Sequence, residues 1–169
     1  MLFSFRPMMA IGAIIAFGAL GFALVLQYVF DMEPCPMCIF QRVAMVGVGL
    51  VMLIAALHGP RGFGRWVYAA LTLVAAGIGS AIAARHVWLQ SLPPDQVPAC
   101  GPSLDYMMDI MPAWDVIRTV LAGDGNCAII EGSFLGISLP GWTLVGFVAL
   151  AIWGIIAAVL PPKPTGAFE

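Results

Sequence analysis

The sequence predicts an all-α polytopic membrane protein, a bundle of four transmembrane helices with a long outer loop that carries short amphipathic helices. Three observations point there. The 169 residues are 62% hydrophobic and 9% charged, where an ordinary soluble domain is roughly 25% charged. The apolar residues fall into four runs, each near the roughly 20 residues a helix needs to cross a bilayer. The basic residues crowd into the short segments at one end of these runs. This length fits a single membrane domain, 1–169, without a separate soluble module. A net charge of −2 argues against nucleic acid, because no basic patch is available to displace counterions from a phosphate backbone.

The first run covers 8–30, broken only by Gln27, with Arg6 before it and Asp31 after it. A signal peptide also starts with a basic residue and an apolar stretch, but its apolar core is about 7–15 residues, so a retained span is expected. The second run, 36–57, opens at Pro36, a residue suited to the first helical position because no backbone N–H is needed there. The third, 66–84, places Ala76, Ser80 and Ala84 at a four-residue spacing that lets a neighbouring helix approach closely. The fourth, 142–160, ends at Pro161-Pro162. Trp66 and Trp142 stand at run ends, where an amphipathic ring favours the headgroup level.

Charge sets the expected orientation. With the N-terminus inside, the short inner segments 1–7, 58–65 and 161–169 carry Arg6, Arg61, Arg65 and Lys163. The much longer outer segments 31–42 and 85–141 carry Arg42, Arg85 and Arg118. Basic density therefore predicts both termini in the cytoplasm. All four cysteines then lie outside, Cys35 at the end of the loop 31–35 and Cys38 just after it in the outer segment 31–42, Cys100 and Cys127 in the loop 85–141. Disulfides persist outside the reducing cytosol, so this placement reads as disulfide chemistry.

The first pair is spaced Cys35-Pro-Met-Cys38, a spacing that suits a readily reduced disulfide better than an inert staple. The second pair has 26 residues between its members. A structural staple worth roughly 3–4 kcal/mol is the plain reading for it alone. Four thiols can hold zinc, but the second pair lacks Cys-x-x-Cys spacing, so no metal site is expected. A c-type haem needs histidine directly after the second cysteine, and Ile39 stands there. Arg42 lies one turn beyond Cys38 on the same helix face. A charge at that depth is a candidate functional residue, although an arginine near the interface also snorkels to headgroups. Arg85 and His86 close the third run at a similar depth. They are candidates for a polar ring around an acceptor's carbonyl oxygens, or for interfacial anchoring beside Trp88.

The second outer loop has pattern of its own. Trp114, Ile117, Val120 and Leu121 recur at helical spacing with Gly123 as a stop, as in a short helix lying on the membrane surface. Leu104, Met107, Met108 and Met111 form a similar stripe upstream. A methionine cluster can bind copper(I), but apolar contact explains it more simply.

Over nearly its whole length the sequence resembles the DsbB family of bacterial disulfide-generating membrane oxidoreductases. The resemblance rests on Cys35-Pro-Met-Cys38 followed by Gln41-Arg42, on Arg85-His86, on Cys100-Gly-Pro-Ser-Leu-Asp-Tyr, on Gly125-Asn-Cys127, and on Phe134-Leu-Gly through Leu139-Pro-Gly-Trp142. It implies that Cys38 lies beside a quinone, ubiquinone or menaquinone, that Arg42 supports quinone binding, and that Gln41, Arg85 and His86 belong to the same neighbourhood. It implies disulfide exchange between Cys35 and Cys127, and attack on Cys100 by a reduced periplasmic partner, a thioredoxin-fold oxidase of the DsbA type. It also implies a bacterial inner-membrane location with the cysteines on the periplasmic side. A vitamin-K-epoxide-reductase-like enzyme shares the bundle, the Cys-x-x-Cys and the quinone, but there the redox pair belongs to a later helix. A metal-binding or transport protein using thiols and methionines is a reading of a different class, as is a structural bundle with outer staples.

Overall fold

The computed structural model describes residues 4–130 and 132–160. Four long helices carry the fold: α1 Phe5–Val29, α2 Pro36–His58, α3 Gly64–Gln90 and, after the long loop, α7 Leu139–Val159. All four are long and apolar enough to cross a membrane. Within the loop lie three short helices, α4 Leu104–Ile110, α5 Ala113–Ala122 and α6 Gly125–Ala128. A two-stranded hairpin follows, β1 Ser133–Phe134 paired antiparallel with β2 Ile137–Ser138. The protein is therefore an all-α, multi-pass membrane protein.

Around the bundle α1 packs on α2, α2 on α3, α3 on α7, and α7 returns to α1. Phe147, Met9, Met52 and Val48 fill the middle and are fully buried. The most extensive contact between helices is that of α3 with α7. A Cβ built on Gly79 would sit 2.3 Å from the Phe147 ring, so the absence of a side chain is what admits the ring. The face of α3 that receives its neighbours is Thr72, Ala76, Gly79 and Ala83, all buried, while Ser80 is half-buried and Ala84 exposed. The strict four-residue spacing of Ala76, Ser80 and Ala84 drifts off the contact, because 3.6 residues make a turn and a straight stripe alternates steps of three and four.

Charged and polar groups close the helix ends away from the cysteines. Arg6 donates from Nε to Ala56 O at 3.0 Å, and Arg65 donates to Leu160 O at 2.7 Å. Both satisfy carbonyls that have no partner within their own helix. Trp153 Nε1 donates to Met8 O at 2.8 Å and ties α7 to α1.

At the opposite end α3 runs past the expected Ala84 to Gln90. Its 27 residues span about 40 Å at about 1.5 Å per residue, more than the roughly 30 Å hydrocarbon core. The surplus turns form a post on which the loop folds down. Leu89 and Ile82 of α3, Met37 of α2, Met107 of α4, and Val116 and Val120 of α5 make a second buried cluster there, and Cys127 belongs to it. The amphipathic stripe of α5 is thus rotated from the one expected. Val116 and Val120 are buried, whereas Trp114 and Leu121 face outward. The inner face meets protein, and only the outer one is left for a lipid surface.

Candidate active site

Cys35 is the residue that starts α2. Its backbone is extended and its sulfur accepts a hydrogen bond from the Cys38 N–H at 3.3 Å, the role a serine or aspartate fills at other helix starts. Pro36 in the first turn fixes the entry. One turn of helix therefore brings the two thiols together, 3.0 Å apart. All four cysteines are thiols in this structure.

Above this pair hangs His86, 2% exposed. Its Nε2 lies 3.8 Å from the Cys35 sulfur and its Nδ1 4.0 Å from that of Cys38. Gln41, also buried, places its amide nitrogen 3.0 Å from His86 Nδ1. In an apolar bundle each of these polar side chains needs a partner, and they supply it to one another. His86 reaches this point because α3 continues past Ala84, so it stands inside a helix and not at its close. Arg85, one residue earlier, turns away. It donates to Ala122 O at 2.9 Å and lies 4.2 Å over the Trp88 ring. It lines neither of the cavities beside the cysteines, and its contacts are those of an anchor for α5.

The second cysteine pair is assembled by the loop's own backbone. Asp124 caps α6 by accepting from the Cys127 N–H at 3.2 Å. The Gly125 N–H donates to Ala99 O at 3.1 Å, and the Asn126 side chain donates to Gly101 O at 3.2 Å. These bonds lay segment 98–101 along α6. A Cβ on Gly125 would come within 2.7 Å of Pro98 O and 3.1 Å of the Cys100 sulfur, so glycine is what lets Cys100 draw in. Cys100 remains exposed and Cys127 is buried.

Cys127 closes the gap between the pairs. Its sulfur, that of Cys35 and a ring nitrogen of His86 lie within 4.8 Å of one another. The neighbouring Cys35 thiol and burial push the Cys127 thiol well above the ordinary thiol range. Both effects oppose a second negative charge in this space. A thiolate formed there is a strong nucleophile, since nucleophilicity rises with thiol pKa.

On the other side of Cys38 an apolar cavity of about 240 Å³ opens between α1, α2 and the start of α7. Leu26, Met45 and Trp142 give it apolar walls, and Cys38, Gln41 and Arg42 give it its polar edge. Arg42 is held in place by α1, donating to the Gln27 side-chain oxygen and, at 3.2 Å, to Ala23 O. Gln27, read from sequence only as a break in an apolar run, is thus the anchor of the site's one arginine. An isolated amide near the end of an otherwise apolar span was the available signal. Asp124 and Gly125 were likewise legible as a cap and a tight approach, but only once the partner segment was known.

A family model described as disulfide bond formation protein DsbB matches residues 5–157. The chain belongs to the DsbB family. It is 55% identical over 144 residues to disulfide bond formation protein B of Chromohalobacter salexigens, covering 83% of this chain and 84% of that one. The like-named protein of Marinobacter nauticus is 52% identical over 147 residues, 87% and 88% of the two chains. That of Xanthomonas campestris pv. campestris is 46% identical over 165 residues, 97% and 96%. As a DsbB-family protein the chain is an enzyme, a membrane oxidoreductase that forms disulfides. Neither the vitamin-K-epoxide-reductase-like reading nor that of a metal-binding transporter is favoured.

Proposed function

We propose that this DsbB-family protein reoxidises a periplasmic DsbA-type thiol oxidase and passes the two electrons to a membrane quinone, with the four cysteines as the relay. The observation that carries this reading is the order of the sulfurs. Cys100 is exposed, Cys127 is buried against Cys35, and Cys38 lies one turn on at the wall of an apolar cavity. Each step inward moves from water towards lipid.

In the oxidised enzyme the pairs are Cys100–Cys127 and Cys35–Cys38. A partner thiolate attacks the Cys100 sulfur, forms a mixed disulfide and releases Cys127 as a thiolate. The partner's second thiol resolves the mixed disulfide, which leaves the partner oxidised and Cys100 reduced. Cys127 attacks Cys35 across the short gap and releases Cys38 at the start of α2, where the positive end of the helix dipole receives its charge. A high-pKa attacking thiol and a stabilised leaving thiolate both favour exchange in this direction. Cys100 then attacks Cys127 of the Cys35–Cys127 disulfide and frees Cys35, and the Cys35/Cys38 dithiol would give two electrons and two protons to the quinone, the terminal acceptor, as its own disulfide closes. Arg42 and Gln41 would hold its ring oxygens. The cavity is smaller than the roughly 300–1,000 Å³ of sites that enclose a drug-sized ligand, which suits a ring whose tail stays in lipid. DsbA-type oxidases are themselves strong oxidants near about −120 mV, so the drive comes from the acceptor.

The test is quinone reduction by the full-length protein in nanodiscs, with and without reduced DsbA-type partner. Turnover should require the partner and be lost in Cys100→Ser, while Cys35–Cys38 still forms when quinone is added. Normal partner oxidation by Cys100→Ser would remove Cys100 as the entry point. A reporter inserted at Gly62 should read as cytoplasmic and one at Gly123 as periplasmic. The opposite pattern would overturn the orientation.

A further inference from the structure

We infer that the reduced enzyme carries a zinc site made of Cys35, Cys127 and His86, with Cys38 as fourth ligand, and that zinc bound there holds the enzyme in its reduced form. The effect of zinc on the enzyme rests on the relay reading above, while the site itself needs only that Cys35, Cys38 and Cys127 are free thiols.

Geometry supports it. Tetrahedral zinc binds thiolate sulfur at about 2.3 Å, which places ligand sulfurs about 3.8 Å apart. His86 Nε2 is 3.8 Å from the Cys35 sulfur, and the Cys127 sulfur lies within 4.8 Å of both groups. Cys38 is 3.0 Å from Cys35, so a modest side-chain rotation spreads the pair to the edge of a tetrahedron. Three sulfurs and one imidazole make a structural zinc set, and soft donors of this kind select zinc over magnesium or calcium. Around His86 there is also a supporting partner. A metal-bound histidine commonly donates its second ring N–H to an oxygen, and the Gln41 amide, 3.0 Å from Nδ1, presents its oxygen when turned over. His86 and Cys127 are buried, so water competes poorly for the ion.

No electron moves in the binding step. Zinc forms bonds to the three sulfurs and the ring nitrogen, each thiol gives up a proton to solvent, and the ion draws negative charge from the sulfurs and so lowers their nucleophilicity in exchange. Closing either disulfide withdraws ligands and releases the ion. Zinc is thus expected to act as a dead-end inhibitor of the reduced state.

The experiment uses the full-length protein in nanodiscs, prepared metal-free and reduced with a phosphine, and titrated with Zn²⁺ against a chromogenic chelator. One equivalent should bind, and none after the disulfides are restored. Co²⁺ in place of Zn²⁺ should give the intense visible bands of a tetrahedral sulfur-nitrogen site. Cys127→Ser and His86→Phe should each weaken binding more than tenfold, Gln41→Ala about tenfold, and Cys100→Ser less than twofold. If a ligand variant does not fold, the Co²⁺ spectrum and the comparison of oxidised with reduced wild type decide. No stoichiometric binding to the reduced protein, octahedral Co²⁺ bands, or loss of binding in Cys100→Ser would overturn the inference. Quinone reduction by the metal-free sample, measured in parallel, keeps the two readings apart. Normal turnover without zinc binding sinks the site alone, while zinc binding without any turnover sinks the relay and leaves the site.

Discussion

Arg42 gives the sharpest test of the relay, because its position depends on a residue in another helix. Its guanidinium lines the cavity beside Cys38 and is fastened by Gln27 and Ala23 O of α1. Arg42→Met keeps length and apolar packing and removes the donors. A hydrogen bond from a charged group contributes about 1.5–3 kcal/mol, so losing one to a quinone oxygen should raise the apparent KM about 10- to 150-fold. Gln27→Leu leaves the arginine but removes one of its two anchors. The lost constraint is worth about 1 kcal/mol, roughly a fivefold rise in KM. Lysine at 42 should restore the charge without the planar fork and recover activity only in part. The assay is quinone reduction at varied quinone mole fraction in nanodiscs, with helix content checked by circular dichroism. Because Gln27 acts through Arg42, the double variant should be no worse than Arg42→Met. Wild-type KM in both single variants would refute the assignment, and additive losses would refute the coupling.

The other predictions concern packing and reactivity. The raised Cys127 pKa means that this thiol stays protonated at neutral pH. Its alkylation in the reduced protein should climb about tenfold per pH unit from pH 7 to 9, as read by mass spectrometry of the labelled peptide, and a plateau below pH 8 would contradict it. Gly125→Ala drives a methyl against Pro98 O and the Cys100 sulfur. It should leave Cys100 and Cys127 largely unpaired in air-oxidised protein while Cys35–Cys38 still forms, which non-reducing peptide mapping detects. Gly79→Ala places a Cβ 2.3 Å from the Phe147 ring and should cost about 1–3 kcal/mol of bundle stability. Thermal unfolding measures the loss, and pairing it with Phe147→Leu should return part of it.

Helix number and class were legible because a bilayer imposes one requirement that composition and run length report directly. The ends were less so. Hydropathy stops at Ala84, where Arg85 and His86 interrupt it, yet α3 continues because its surplus turns are covered by α4 and α5 and not by lipid. The cysteines declared themselves through spacing, but their geometry depends on long-range bonds from Gly125 and Asn126 to residues 99–101 that no local pattern encodes. His86 and Arg85, adjacent in sequence and equal as candidates, were separated only by helix phase. One faces the cysteines, and the other faces α5. Gln27 shows the same limit, since its meaning lies in a residue on the next helix.

The cavity beside Cys38 is bordered by Phe22 of α1, an exposed side chain on the bundle's apolar flank. Through the gap beside Phe22 the cavity would open onto hydrocarbon, while the exposed Glu33 stands at its loop end. A lipid-soluble acceptor would arrive by lateral diffusion in two dimensions, and the concentration that governs its encounter is moles per mole of lipid. Diluting the membrane with inert lipid should slow such an enzyme even when the bulk amount of acceptor is unchanged, whereas enlarging the aqueous volume should not.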